Sequence, residues 1–401
     1  MNKKLLKMAI LSVSLLTVMA GAAISPALAD IALAFPKSSE TTIKLILTLP
    51  SVMIIPFIFV SSYLTTRFSK KSILFAGIVF YLIGGIGGGL VSTIELLLFC
   101  RAILGIGVGL IMPISTALVS DFFDGEERTA TMGQVSAANN LGGVALFLMS
   151  GVLAAISWRV AFGVYILALV SAIIVYFYLP KTKSDGVLVG NGLAPLPKKL
   201  YAYGLGMFSI VLVFFAIPVN MALYMHQEGI GSSQFAGVVI SVGTMAGFIA
   251  GLLLTRLRHW LQNYFITIQL LLMGIGFFTM SISQHVFIIA LGVGIAGFGF
   301  GSVLPMVFDR VSRQVPKAQT VQAMAIVTSM LFLGQFSSPI ILDGVGMLFA
   351  NDTIRFLYYF LSIAMLVVAG AFLVAAIKLS IRQKRETVFN YMNENNREVT
   401  K

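Results

Sequence analysis

Charge is the scarcest property of this 401-residue chain: Asp, Glu, Lys and Arg make up 10% of it, against about 25% in an ordinary soluble domain. So few charges cannot cover an aqueous surface, and lipid must be the solvent for most of the molecule. Cysteine is nearly absent. The one residue, Cys100, excludes a disulfide framework within the chain, and its apolar neighbours make it a packed thiol. Histidine is almost as rare. His226, His259 and His285 stand far apart, with no Cys or carboxylate cluster beside them, so no metal site and no cofactor are expected. Neither a Ser/His/Asp order nor a nucleotide loop is present, and an enzyme is not expected. The stretch LGIGVG from Leu104 has GxGxxG-like spacing, but it lacks the strand–turn–helix setting a phosphate loop needs.

What the chain has is apolar length: 58% of it is hydrophobic. A transmembrane helix needs about 20 such residues. The runs predict twelve spans, at 8–29, 44–66, 72–92, 96–119, 130–156, 160–180, 201–226, 233–255, 261–282, 286–308, 319–347 and 354–378. Six lie on each side of a polar stretch that holds Lys181, Lys183, Lys198 and Lys199. The expected architecture is an all-α membrane protein of two pseudo-symmetric six-helix bundles. The first covers 1–180, a cytoplasmic linker 181–199, the second 200–378 and a cytoplasmic tail 379–401.

The basic residues set the orientation. With the N-terminus in the cytoplasm, 22 of the 27 Lys and Arg fall on the cytoplasmic side, as the positive-inside rule requires. Lys37, Lys44, Arg159 and Arg355 fall outside, and Arg101 lies within a span. The net charge of +12 is thus a topology signal rather than a nucleic-acid footprint. The first 29 residues also read as a signal peptide ending in an A-x-A site at Ala27–Ala29. Six spans before the linker require that segment as a retained first helix. Both termini are then cytoplasmic, in a multi-pass protein of a bacterial cytoplasmic membrane.

The halves repeat. LGIGVGLIMP from Leu104 returns as AGFGFGSVLP from Ala296, so that Gly105, Gly107, Gly109 and Pro113 match Gly297, Gly299, Gly301 and Pro305 at a shift of 192 (297 − 105). Gly142 and Gly334 keep the same shift. Duplicated apolar halves with Gly-interrupted segments at matching positions are how several transporter folds are built.

Twelve spans in two halves around a basic loop resemble the major facilitator superfamily, nearest its bacterial drug/proton antiporter branch. The loop Ser62–Lys71 lies where that family has Gly-x-Leu-Ala-Asp-Arg-x-Gly-Arg-Arg. It keeps the basic end but has Thr66 for the Asp and Ser62 and Ser69 for the glycines. The resemblance implies a latch there, with Arg67 finding Asp121. Arg101 matches the family's intramembrane Arg before a Gly-rich stretch, a position associated in relatives with proton coupling or substrate binding. A charge in the bilayer costs a few kcal/mol at least, so it must face a cavity or partner, or snorkel to the headgroups. The antiporters' Gly-Pro bend in the fifth span is damaged, because Phe147 replaces the Pro. Pro339, at 147 + 192, offers the bend in the other half. Ser157, Trp158 and Arg159 match an outer-edge anchor. The deep acid many antiporters carry in the first span is missing: Ala22 stands there and Asp30 lies further out.

A site near the midplane would draw on Gln134, Asn139, Asn140, Asn220 and Gln335, amid Tyr224, Phe336 and other members of 31 Phe and 19 Met. A large apolar pocket with few polar groups suits a lipophilic ligand. With Arg101 nearby and no deep acid, neutral or anionic amphiphiles are favoured over cations. Coupling is expected through Asp30 or Glu95 with Arg101, and gating through Arg67, Asp121, Phe147 and Pro339. The resulting expectation is a monomeric, proton-coupled secondary exporter of small lipophilic compounds by alternating access. A secondary importer or metabolite carrier on the same fold, and a lipid flippase or non-transporting sensor, stay open as alternatives.

Overall fold

The computed structural model describes residues 3–180, 196–316 and 319–399. Among the described residues every regular element is helical. Twelve helical stretches are long and apolar enough to cross a membrane. In chain order they are α1 (Lys3–Ala34), α2 (Glu40–Leu64), α3 (Lys70–Gly88), α4 (Ile94–Phe122), α5 (Gly125–Ile156) and α6 (Trp158–Tyr178). The second half holds α7 (Lys198–Gln227), α8 (Ser233–Leu252), α9 (Leu254–Ile282), α10 (Val286–Gln314), α11 (Gln322–Leu348) and α12 (Ile354–Lys378). All twelve predicted spans are present. Most of the predicted linker, 181–195, lies outside the described residues.

Helix starts follow capping chemistry. Ser39, Ser69 and Thr93 stand at N-caps, and their hydroxyls accept from the backbone N–H of Thr42, Ser72 and Leu96, satisfying donors a helix start leaves free. Several spans outrun the apolar windows. α4 runs on to Phe122 and α10 to Gln314, because their last turns are amphipathic and hydropathy alone cuts them short. The helix that begins as α12 continues to Val399, through the stretch expected as a tail.

The 192-residue repeat is a packing rule. A side chain at Gly107 of α4 would meet the backbone of Gly77 and Tyr81 in α3 at 2.7 and 2.6 Å. One at Gly299 of α10 would meet Gln269 and Met273 in α9 at 2.6 and 3.0 Å. These partners are themselves 192 apart (269 − 77, 273 − 81). Each half therefore wedges its fourth helix against its third at a spacing only a hydrogen side chain permits, as membrane helix contacts favour. Gly142 faces Leu15 of α1, and Gly334 faces Phe208 of α7, the equivalent helix pair again. The halves meet through α2 against α11 and α5 against α8.

An even number of spans in each half puts Lys3, Pro180, Leu196 and the stretch after Lys378 at one end of the bundle, called here the termini end. The loops after α1, α3 and α5 lie at the other, distal end.

Candidate functional site

Prolines and helix breaks open the centre of the bundle. α1 leaves α-helical geometry at Ala22 and passes through a short 3-10 turn at Ser25–Ala27, around Pro26. Pro50 lies inside α2 and Pro218 inside α7. Where these stretches face one another they enclose a cavity of about 310 Å³ between the halves. Thr17, Ser25, Ser51, Thr244 and Gln335 supply its polar groups, and Phe147, Phe214, Phe215 and Phe332 its aromatic walls. None of its lining residues is charged. The Ser51 hydroxyl donates to Gln335 Oε1 at 2.9 Å, a bond from α2 to α11. Phe214, Gly243 and Thr244 also line a second recess of about 500 Å³ toward the termini end, bounded by Asn140 of α5 and by Phe300, Leu304 and Phe308 of α10. Phe214 and Phe300 stack face to face at 3.8 Å where the two spaces meet.

The distal end is held shut by bonds between the halves. Lys44 Nζ of α2 lies 2.6 Å from Asp343 Oδ1 of α11, and the Thr41 hydroxyl donates to Asp343 Oδ2 at 2.7 Å. The Lys44 side chain is only 4% exposed. The Gln227 amide donates to Glu40 at 2.7 Å. The Ser233 hydroxyl donates to Asp30, and the Ser25 hydroxyl to the Pro218 carbonyl.

Arg101 is fully buried, and its fork ties three helices together. Nη2 donates to the Ala20 carbonyl at 2.7 Å, Nε to the Ile46 carbonyl at 3.0 Å and Nη1 to the Tyr165 hydroxyl at 2.8 Å. Both carbonyls are orphans of local chemistry. Pro50 has no N–H to give Ile46. Ile24 bonds Gly21 instead of Ala20, because α1 breaks there. Arg101 thus stands behind the cavity wall that Ala20 forms, rather than in the cavity. It does not snorkel, and neither Asp30 nor Glu95 is among its hydrogen-bond partners. Glu95 is exposed in the first turn of α4. The expected Asp30–Glu95–Arg101 set is not brought together.

The other expected site residues divide. Gln335 and Phe147 line the cavity and Asn140 the recess. Asn139 accepts from the Ser14 hydroxyl at 2.9 Å, joining α5 to α1. Gln134 is exposed and lines neither space. Asn220 is 1% exposed and donates to Ala216 of its own helix. The Tyr224 hydroxyl donates to the Met280 and Ser283 carbonyls at the end of α9. Phe336 lines neither space, and Pro339 is buried within α11.

The Major Facilitator Superfamily sequence model matches residues 10–339. The chain belongs to that superfamily. It is 25% identical to multidrug resistance protein 1 of Bacillus subtilis over 332 residues, which cover 80% of this chain and 83% of the relative. It is 23% identical to the bacillibactin exporter of the same organism, over 74% of this chain and 79% of the relative. Multidrug resistance protein 3 of that organism is matched over only 22% of its own length. The crystal structure of a D-xylose-proton symporter aligns with a TM-score of 0.73 at 18% identity, covering 93% of this chain and 97% of the other. The protein is therefore a multi-pass membrane transporter rather than an enzyme.

The loop before α3 pairs differently from the expectation. Asp121 is held by Lys70, whose Nζ lies 3.0 and 2.8 Å from its two oxygens. The expected partner, Arg67, is exposed and lies over the Tyr63 ring at 5.1 Å. The reason is position: Lys70 opens α3 beside the end of α4, whereas Arg67 sits in the turn before it. Sequence reasoning placed Lys44 at the outer side but missed its pairing with Asp343. Opposite charges at the distal ends of two spans were the available signal.

A second distal ion pair lies within one half. Arg355 Nη2 and Nε reach Glu228 Oε2 and Oε1 at 2.7 and 3.1 Å, tying the end of α7 to the start of α12. Hydrogen bonding from Arg355 holds the Glu228 carboxyl below its ordinary value of 4.5. A lowered folded-state pKa gives stability that is present above the ordinary value and lost as pH falls through the lowered one. Glu228→Gln should lower stability by about 1 kcal/mol at neutral pH and by progressively less below pH 4.5. Thermal unfolding in detergent between pH 3 and 7 measures this, and a constant difference over that range would contradict it.

Proposed function

We propose that the protein is a proton-coupled exporter of small, neutral, lipophilic compounds, working by alternating access in a bacterial cell membrane with both termini in the cytoplasm. The observation that carries the substrate class is the central cavity, which lies between the halves and has no charged side chain in its wall. Serine, threonine and glutamine hydroxyl and amide groups orient a ligand, and phenylalanine rings supply the contact area. With Arg101 turned away behind Ala20, nothing in the wall attracts an anion, and the neutral half of the original expectation is favoured. A sugar carrier would need more hydrogen-bonding groups than this wall presents. The multidrug resistance protein and the bacillibactin exporter among the relatives support the outward direction.

The distal closure and the recess toward the termini end together make one arrangement of the cycle. Asp30, bonded by Ser233 of the other half, is the carboxylate of the expected coupling set whose surroundings change when the halves part. The test is proton movement in proteoliposomes with neutral, anionic and cationic lipophilic compounds, with Asp30→Asn alongside. Proton flux driven by neutral compounds and reduced about tenfold in the variant is expected. Flux driven only by cations would overturn the substrate class. Flux unchanged in Asp30→Asn would remove the coupling role.

A further inference from the structure

Leu254–Leu261, at the start of α9, is a separate eight-residue helix between TM-length segments. Leu254, Leu257 and Leu261 pack inward on the core formed by Phe265, Val303 and Val307. The chain then turns sharply at Gln262, whose φ is 44°. The face turned away from that core carries Arg256, His259 and Trp260, all exposed, with Trp260 at 74%. The helix is bound to the last turns of α10 by one carboxylate: Asp309 accepts from Arg258 Nη1 and from Arg313 Nε, each at 2.8 Å. One acid between two guanidiniums leaves this corner positive. Arg256 and Arg310 add two more guanidiniums, and neither has a bonded partner among the described residues.

We propose that this corner binds the phosphate headgroup of an anionic phospholipid. Guanidinium groups match phosphate oxygens in geometry as well as charge. Basic pockets between membrane helices suit anionic headgroups, and an exposed Trp settles at the bilayer interface. The site has a mechanical consequence. Leu304, Pro305 and Phe308, just before Asp309 on the same stretch of α10, form a wall of the recess. A headgroup that joins α9 to this stretch pins the wall and favours the arrangement described here.

The chain has two tryptophans, so Trp158→Phe leaves Trp260 as the sole indole. The full chain carrying that change is placed in phosphatidylcholine vesicles with equal fractions of brominated phosphatidylglycerol or brominated phosphatidylcholine, and Trp260 quenching is read. Quenching at least twofold stronger with the brominated anionic lipid is expected, with the preference lost in Arg256→Gln/Arg310→Gln. Equal quenching by the two lipids would overturn the proposal. So would a preference that persists in the double variant, or one abolished by millimolar inorganic phosphate, which would make this a soluble-anion site. The readout needs no transport, so it stands apart from the exporter reading.

Discussion

Asp343→Asn is expected to lower transport at least tenfold by unlatching the distal end. Lys44 is almost wholly buried, and its ammonium lies 2.6 Å from Asp343. The other acid paired with it among the described residues, Glu40, is 3.5 Å away and half exposed. Removing one member of a buried pair typically costs about 3–5 kcal/mol, because the other charge is left without compensation. That penalty falls on the distally closed arrangement. Parting of the halves would let water reach Lys44. At about 1.4 kcal/mol per tenfold, even the lower figure shifts the balance by roughly a hundredfold. Double electron–electron resonance between spin labels on the distal loops would report the shift as a longer distance. The double variant Lys44→Met/Asp343→Leu should close the distal end again, since apolar residues of similar volume often replace a buried pair without loss. If the double variant stays as open as Asp343→Asn, the pair is not the latch.

This pair also marks how far the sequence could be read. The twelve spans followed from apolar length, and the two-fold build followed from glycines whose partners repeat at the same shift. Both are one-dimensional signals. Phe147 lines the cavity although it was expected as a gate, and Gln335 and Asn140 were legible as lining residues of the cavity and the recess because their spans had to face the centre. Asn220 and Tyr224 were not, because a rotation of one helix by a quarter turn moves a residue from cavity to core, and hydropathy does not record that angle when every face is apolar. Asp121 pairs with Lys70 rather than Arg67 because a turn of three residues decides which cation reaches it. The distal bonds Lys44–Asp343 and Ser233–Asp30 join residues about 300 and 200 positions apart, a relation that only the folded halves create.

Arg101→Ala is expected to lower thermal stability and transport together. The sequence marked Arg101 as a charge in need of a partner, and the partners are the backbone itself. Pro50 frees the Ile46 carbonyl, the break after Ala22 frees the Ala20 carbonyl, and one planar fork answers both while donating a third bond to the Tyr165 hydroxyl. The Tyr165 hydroxyl also donates to Ala20 at 2.9 Å. Leaving buried acceptors unpaired costs about 1–3 kcal/mol each, so the loss should be on the order of 3 kcal/mol or more. Arg101→Lys keeps the charge but not the fork, and a single ammonium does not span acceptors on three helices. It should recover less than half of the stability. Tyr165→Phe removes one hydroxyl and should cost about 1–2 kcal/mol. The comparison separates two roles for the same residue. Should Arg101→Ala unfold at the wild-type temperature and still fail to transport, the guanidinium would act on substrate or proton directly. A parallel fall of both makes it the clamp that holds α1 and α2 at the wall of the cavity, where the Ala20 carbonyl it grips belongs to the lining.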